Sequence, residues 1–260
     1  MDGRPARTVH VVRIAAAAAV LALLAACASA PAVAPQRSAL AHWSPSPNFN
    51  ARKAQLIVLH HTSTANAAEA LRILKSRNSE GQVSAHYLVE ADGRIDQLVD
   101  DGARAWHAGA SRWAGMTDIN SSSIGIEIDN DGVSPFTQPQ IQALVNLLAD
   151  LTSRLGIPRE AVVGHGDIAP GRKNDPSALF PWSTLARYGF GLWPDQPLIP
   201  APPGFDSLAA IRMVGYDVSN PRTAIVAFHR HYRGMESETL DGTDASILYS
   251  LQRKLMAPRS

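Results

Sequence analysis

Cysteine is almost absent from this chain. Its 260 residues hold one, Cys27. A disulfide framework is therefore excluded, and no thiolate beyond Cys27 is available to a metal. Any zinc site must be built from histidine and carboxylate. Strong charge of one sign is also missing. The formal net charge is +1, and no basic run follows the N-terminal segment. Nothing in that balance points to nucleic acid as a partner. The sequence shows no internal repeat and no compact His-Glu-x-x-His motif, so a metal site has to be assembled from segments far apart. Hydrophobic residues are plentiful at 45%, enough for a globular core.

The N-terminus reads as a targeting segment rather than part of the fold. Arg4, Arg7 and Arg13 precede an apolar stretch, residues 14–24, that is too short to span a bilayer comfortably. It ends in Leu24-Ala-Ala-Cys27, which resembles a bacterial lipobox. Cleavage there leaves Cys27 as the first residue, carrying lipid and anchoring the protein to a membrane. The competing reading is an ordinary secretory signal with Cys27 incidental. Ala28, rather than Asp, follows the cysteine. By resemblance to lipoproteins this implies the outer membrane, facing the periplasm.

Composition divides the rest. Residues 28–47 are rich in Ala, Pro and Ser and read as a flexible tether. Residues 48–193 read as a mixed α/β domain. Residues 55–59 predict a short strand ending at His60. Asn66 is placed to cap a helix. Residues 85–90 and 94–99 flank Ala91-Asp-Gly93, a hairpin signal. Residues 123–129 alternate, with Ile124, Ile126 and Ile128 on one face and Gly125, Glu127 and Asp129 on the other. Thr137-x-x-Gln140 resembles a capping box opening a long helix that Gly156 and Pro158 stop. Residues 161–164 predict another strand, delivering His165. Residues 194–204 carry five prolines and read as a stiff linker. Residues 205–260 predict three helices, expected as a small independent bundle.

The chemistry concentrates at Val163-Gly-His-Gly-Asp-Ile-Ala-Pro-Gly-Arg-Lys-Asn-Asp-Pro176. That loop holds His165, Lys173 and Asp175, while His60 ends a strand far upstream. Two imidazoles and a carboxylate make a three-ligand zinc site with a fourth position for water, the pattern of a catalytic zinc. Lys173 adds a charge suited to a developing oxyanion. His60 and His61 are adjacent and face opposite ways, and spacing does not choose between them. Glu127 is a candidate general base. A glutamate on a solvated sheet face explains the same alternation equally well.

The tracts Val58-Leu-His-His-Thr62, Ser84-Ala-His-Tyr87, Ala105-Trp-His-Ala-Gly109, Ser123-Ile-Gly-Ile-Glu127 and Val163-Gly-His-Gly-Asp-Ile-Ala-Pro170 belong together. With Arg172-Lys-Asn-Asp-Pro176 and Leu179-Phe-Pro-Trp182 they resemble the type-2 N-acetylmuramoyl-L-alanine amidases, and most closely their outer-membrane lipoprotein subgroup. The resemblance implies a mixed central sheet flanked by helices, and a Zn2+ cofactor held by His60, His165 and Asp175. It implies Glu127 as acid/base and Lys173 as catalytic lysine. Trp106 and His107 are expected to line the substrate groove, and His86 to be structural. Asp167 and Asn174 are not carried over as ligands. The implied reaction is hydrolysis of the amide between the lactyl group of N-acetylmuramic acid and L-alanine of the stem peptide, in peptidoglycan or muropeptides. A monomer is expected. Two other readings compete: a peptidoglycan-binding protein without activity, and a zinc peptidase cutting within the stem peptide. The C-terminal helices resemble a small peptidoglycan-binding domain, and a helical appendage packed on the catalytic domain fits them as well.

Overall fold

The computed structural model describes residues 37–51, 54–76 and 82–258. Its strands are β1 (His42–Trp43), β2 (Asn50–Ala51), β3 (Leu56–His61), β4 (Tyr87–Val89), β5 (Ile95–Gln97), β6 (Ala103–Arg104), β7 (Ser123–Ile128) and β8 (Val162–Gly164). Its helices are α1 (Ala67–Lys75), α2 (Ile119–Ser122), α3 (Gln138–Leu155), α4 (His165–Ile168), α5 (Trp182–Arg187), α6 (Ser207–Val214), α7 (Pro221–Arg233) and α8 (Gly242–Met256). Six strands form one sheet in the order β1-β5-β4-β7-β3-β8, and β2 pairs with β6 separately. Every pairing in the large sheet is parallel except β4 with β5, the expected hairpin.

β3 lies between β7 and the edge strand β8 and is buried along its whole length, which is why it reads as a continuous apolar run. Ile57 and Leu59 pack in the main core with Ile124, Ile126, Ile128 and the apolar stripe of α3. Leu56 and Val58 pack on the other face, with Ala108, Ile119, Val163 and Ile168. That parity assigns the two histidines. His60 shares the face of Leu56 and Val58, and His61 shares the face of Ile57 and Leu59.

α3 begins as expected. The Thr137 hydroxyl accepts from the Gln140 N–H, and Gly156 ends the helix at φ 66. The reciprocal half of a capping box is not made. The buried Gln140 amide instead donates to the carbonyls of Val89 and Asp129, at 3.2 and 2.9 Å. It ties the helix to the ends of β4 and β7.

Two expectations are corrected. The tether does not extend to residue 47. From residue 37 the chain joins the sheet: β1 pairs with β5, and the N–H groups of Ser44 and Ser46 donate to the carbonyls of Gln97 and Leu98. Backbone pairing of this kind overrides a loop-like composition. Residues 28–36, with Cys27 and the signal segment, lie outside the described residues. The C-terminal helices are also not independent. α6, α7 and α8 share a core of Ile211, Phe228, Leu248 and Leu251, but Trp113 and Trp193 pack against it. Buried polar groups cross the same boundary. The Tyr216 hydroxyl donates to Asp167 Oδ1 at 2.9 Å, and His231 Nδ1 lies 2.7 Å from Asp167 Oδ2. The His231 ring stacks on Trp182 at 3.8 Å. Residues 194–204 are likewise held, with Leu198 against the helical core and the Asp195 N–H on Ser250 Oγ.

Candidate active site

Three parallel strands end at one place, as open α/β sheets tend to arrange their sites. β3 delivers His60, β7 delivers Glu127 and β8 runs directly into His165 at the start of α4. His60 and Glu127 are partners in register across β3 and β7, so their side chains emerge on the same face. The turn-rich loop after α4 brings Asp175 back over them. The Gly166 N–H donates to the Asp175 carbonyl at 2.7 Å and fixes that return.

His60, His165 and Asp175 converge in a buried cluster. His60 Nδ1 lies 2.9 Å from His165 Nδ1 and 3.1 Å from Asp175 Oδ2. His165 Nδ1 lies 3.0 Å from the same Oδ2. Three donor atoms near 3 Å from one another match one face of a tetrahedron whose centre is ~2 Å from each, the coordination distance of zinc to imidazole and carboxylate.

The surrounding hydrogen bonds say which nitrogens face that centre. Ser123 Oγ donates to the Ile119 carbonyl at 2.6 Å, so it accepts from His107 Nε2 at 3.2 Å. His107 Nδ1 is then an acceptor, and His60 Nε2–H donates to it at 3.0 Å. The Nδ1 lone pair of His60 is left pointing into the cluster. His165 Nε2–H donates to the Ala108 carbonyl at 3.1 Å and leaves its own Nδ1 lone pair inward. Outer partners of this kind hold ligand imidazoles in one tautomer. Two lone pairs and a carboxylate oxygen facing one another repel unless a cation lies among them, so the donor set fits a divalent metal.

Protonation agrees with that picture. Burial, with the neighbouring His165, pushes His60 down to about 4, so it is neutral near pH 7. Burial opposes ionisation of Asp175, but in the metal-free cluster, where an Nδ1 can carry a proton in place of the metal, hydrogen bonding to His165 and His60 outweighs it and holds the carboxyl well below the usual range. Neutral imidazole and ionised carboxylate are the forms a metal requires.

Glu127 stands beside the cluster and not in it. Its Oε2 is shut off from solvent without a hydrogen-bond partner among the described residues. Burial, reinforced by Asp175 and opposed by Lys173, pushes its carboxyl up to about 8. The His107 ring covers this strand face so closely that a Cβ at Gly125 would fall 2.4 Å from it. Glu127 is half-buried and faces the cleft, not an open sheet face. The cluster opens into a cleft of about 390 Å³ lined by Trp106, Glu127, Lys173 and Asn174 among others. Lys173 is exposed on the loop above it. His107 reaches the cleft too, but its ring nitrogens are engaged with His60 and Ser123, so it orients a ligand. His86 is buried and structural: it accepts from the Gly125 N–H and contacts the Ala103 carbonyl. His61 turns away and accepts from the Ser177 N–H.

Sequence reasoning missed several supporting residues. Arg172 donates to the carbonyls of Ala108 and Ala110, pinning the loop that caps His165. Asn120 accepts from the N–H groups of His107 and Ala108. Asp167 accepts from the Gly164 N–H at 2.6 Å and braces the turn that carries His165.

Comparison with known proteins agrees with this geometry. The family model for N-acetylmuramoyl-L-alanine amidase matches residues 50–178. The amidase AmiD of Escherichia coli is 39% identical over 212 residues, 69% of this chain and 75% of that protein. The 1,6-anhydro-N-acetylmuramyl-L-alanine amidase AmpD of Haemophilus influenzae is 43% identical over 104 residues, 39% of this chain and 55% of that protein. AmiD has been solved with its substrate anhydro-N-acetylmuramic acid-L-Ala-D-γ-Glu-L-Lys. That structure superposes with a TM-score of 0.68 at 35% identity, covering 84% of this chain and 93% of that one. AmpDh3 of Pseudomonas aeruginosa, solved with anhydromuramic pentapeptide, gives a TM-score of 0.69 at 33% identity, covering 85% and 99%. With the sheet, the site and the sequence all in accord, the chain belongs to the N-acetylmuramoyl-L-alanine amidase family.

Proposed function

We propose that this protein hydrolyses the amide between the lactyl group of N-acetylmuramic acid and L-alanine of the stem peptide, with zinc as cofactor. The observation that carries this is the convergence of three metal-type donor atoms in one cleft with a carboxylate, Glu127, whose Oε2 is buried without a partner among the described residues. His60, His165 and Asp175 would hold the zinc. Bound there, zinc lowers the pKa of water and polarises a carbonyl. Glu127 accepts the proton of the attacking water and returns it to the leaving L-alanine amine. Its raised pKa suits a group that must both take and give a proton near neutrality, and a nearby dication draws that value down. Lys173 supplies positive charge to the oxyanion. Trp106 offers an aromatic wall to the substrate.

Filled ligand, base and lysine positions favour an enzyme over a binding protein. The test is incubation with purified sacculi and with anhydro-muropeptides, with chelator and then zinc add-back, and product masses as the readout. Free peptides beginning with L-alanine, lost on chelation and regained with zinc, are expected. Cuts within the stem peptide would replace the amidase reading with a peptidase, and sacculus binding without release would replace it with a recognition protein.

The reading extends to a monomer in the cell envelope, held at the outer membrane by lipid on Cys27. The support is the lipobox-like Leu24-Ala-Ala-Cys27 with a single cysteine. Cys27→Ser is expected to move the protein from the membrane to the soluble fraction. Retention of the variant on membranes would remove the lipid from this account.

A further inference from the structure

Directly beside the candidate active site lies a second cleft, of about 340 Å³, that the hydrolysis above does not use. One wall is the loop 171–174, and the other is α7 from Arg222 to Arg230. Arg172, Lys173, Arg222 and Arg230 line it, against the single carboxylate of Glu238. Part of that charge is balanced. Arg230 donates to Glu236 at 2.8 and 3.0 Å, and Arg222 lies 3.7 Å from Glu238. Arg172 donates to the carbonyls of Ala108 and Ala110 and lies 3.3 Å from His165 Nε2; Asp175 offsets part of its charge, and it makes no direct ion pair among the described residues. Arg172, Lys173 and Asn174 line both clefts, so the two share that edge.

The cleft depends on close approach of the loop to the helix. Gly171 has φ 77, and a Cβ there would fall 2.6 Å from Thr223 Cγ2. A glycine is what lets the catalytic loop rest on the first turn of α7. The C-terminal helices thus supply half of a positively charged groove that borders the reaction.

We propose that this groove receives a free carboxylate of the stem peptide. The proposal rests on the amidase reading. In anhydro-N-acetylmuramic acid-L-Ala-D-γ-Glu-L-Lys the muramic carboxyl is consumed in the amide. The γ-linkage leaves the α-carboxylate of D-Glu free, and the chain ends in another carboxylate. All of the substrate's negative charge therefore lies on the leaving-peptide side of the cut. A cationic groove flanking the cut matches that side and offers nothing to the glycan. Arg222 and Lys173 attract the carboxylate, and Glu238 opposes it.

The test uses the full-length zinc-loaded protein and this muropeptide, with two forms carrying a neutral amide at the D-Glu α-carboxylate or at the C-terminus. Wild type is expected to prefer the acid at one of the two positions by about fivefold to tenfold in kcat/KM, the scale of one charge-assisted contact. Arg222→Glu is expected to abolish that preference. Glu238→Gln is expected to enlarge it, a gain that misfolding does not produce. A preference absent from wild type, or equal in all three proteins, overturns the proposal. The free peptide L-Ala-D-γ-Glu-L-Lys and its two amides are titrated calorimetrically into the same proteins. Should wild type cleave none of the muropeptides, the amidase reading fails, and the titration alone decides the groove. Acid-over-amide binding lost in Arg222→Glu upholds it, and equal binding of acid and amides overturns it.

Discussion

Glu127→Gln is expected to lower kcat by about 10²–10⁴-fold, the usual worth of a positioned general base, while bound zinc stays stoichiometric. Glutamine keeps the shape of the side chain and removes its ability to take a proton. The three donor atoms of the metal cluster do not include Glu127, so the cofactor has no reason to leave. Zinc content by elemental analysis and turnover on one muropeptide check both halves. A variant with near wild-type turnover would remove Glu127 from the mechanism. A second readout comes from stability. In the metal-free protein the Glu127 carboxyl is raised from 4.5 to about 8 by burial first and Asp175 second. The folded state then holds a proton that the unfolded chain has lost between those values. Stability conferred at low pH is fully present below about 4.5 and falls as pH rises towards 8. At 1.36 kcal/mol per pH unit the loss has an upper bound of about 4–5 kcal/mol. Glu127→Gln is expected to flatten that slope in denaturant titrations of metal-free protein at pH 5 and pH 8. An unchanged slope would mean the carboxylate is not sheltered.

The site was legible wherever one residue type had one structural use. Alternation in residues 123–128 and the capped apolar stripe of α3 map onto the observed elements, because each element has one core face and one other. β3 resisted the same treatment. It is buried on both faces, so apolar neighbours on each side gave no parity by which to separate His60 from His61. Family resemblance selected His60, and packing explains why: Leu56 and Val58 line its face. Glu127 was ambiguous because the ring that shields its strand face at Gly125, that of His107, comes from a segment 20 residues upstream of it. The supporting roles of Arg172, Asn120 and Ser123 rest on a few side-chain hydrogen bonds between separate segments, which leave no periodic trace. The C-terminal helices looked separable because their apolar pattern closes a core of its own. What couples them to the site is polar: Tyr216 and His231 on Asp167, two residues past His165.

Loading the cluster with zinc is expected to raise Tm by roughly 8–16 °C in wild type and by nothing comparable in His60→Ala. At free zinc ~1,000 times Kd, linkage stabilises the folded state by about 4.1 kcal/mol. For a folded unit of this size each kcal/mol moves Tm by about 2–4 °C. Removing His60 leaves two of the three donors, and a buried site that fits a tetrahedral ion does not compensate with water alone. The outer hydrogen bonds give the idea a finer edge. His107 accepts from His60 Nε2–H and is itself fixed by Ser123. If that chain sets the tautomer, His107→Ala keeps every ligand yet loses about 10–100-fold in zinc affinity. Competition with a chromophoric chelator measures the affinities, and a thermal scan with and without zinc measures the shift. An equal rise in Tm for wild type and His60→Ala would place the ion elsewhere. Undiminished affinity in His107→Ala would leave His60 oriented by the strand alone.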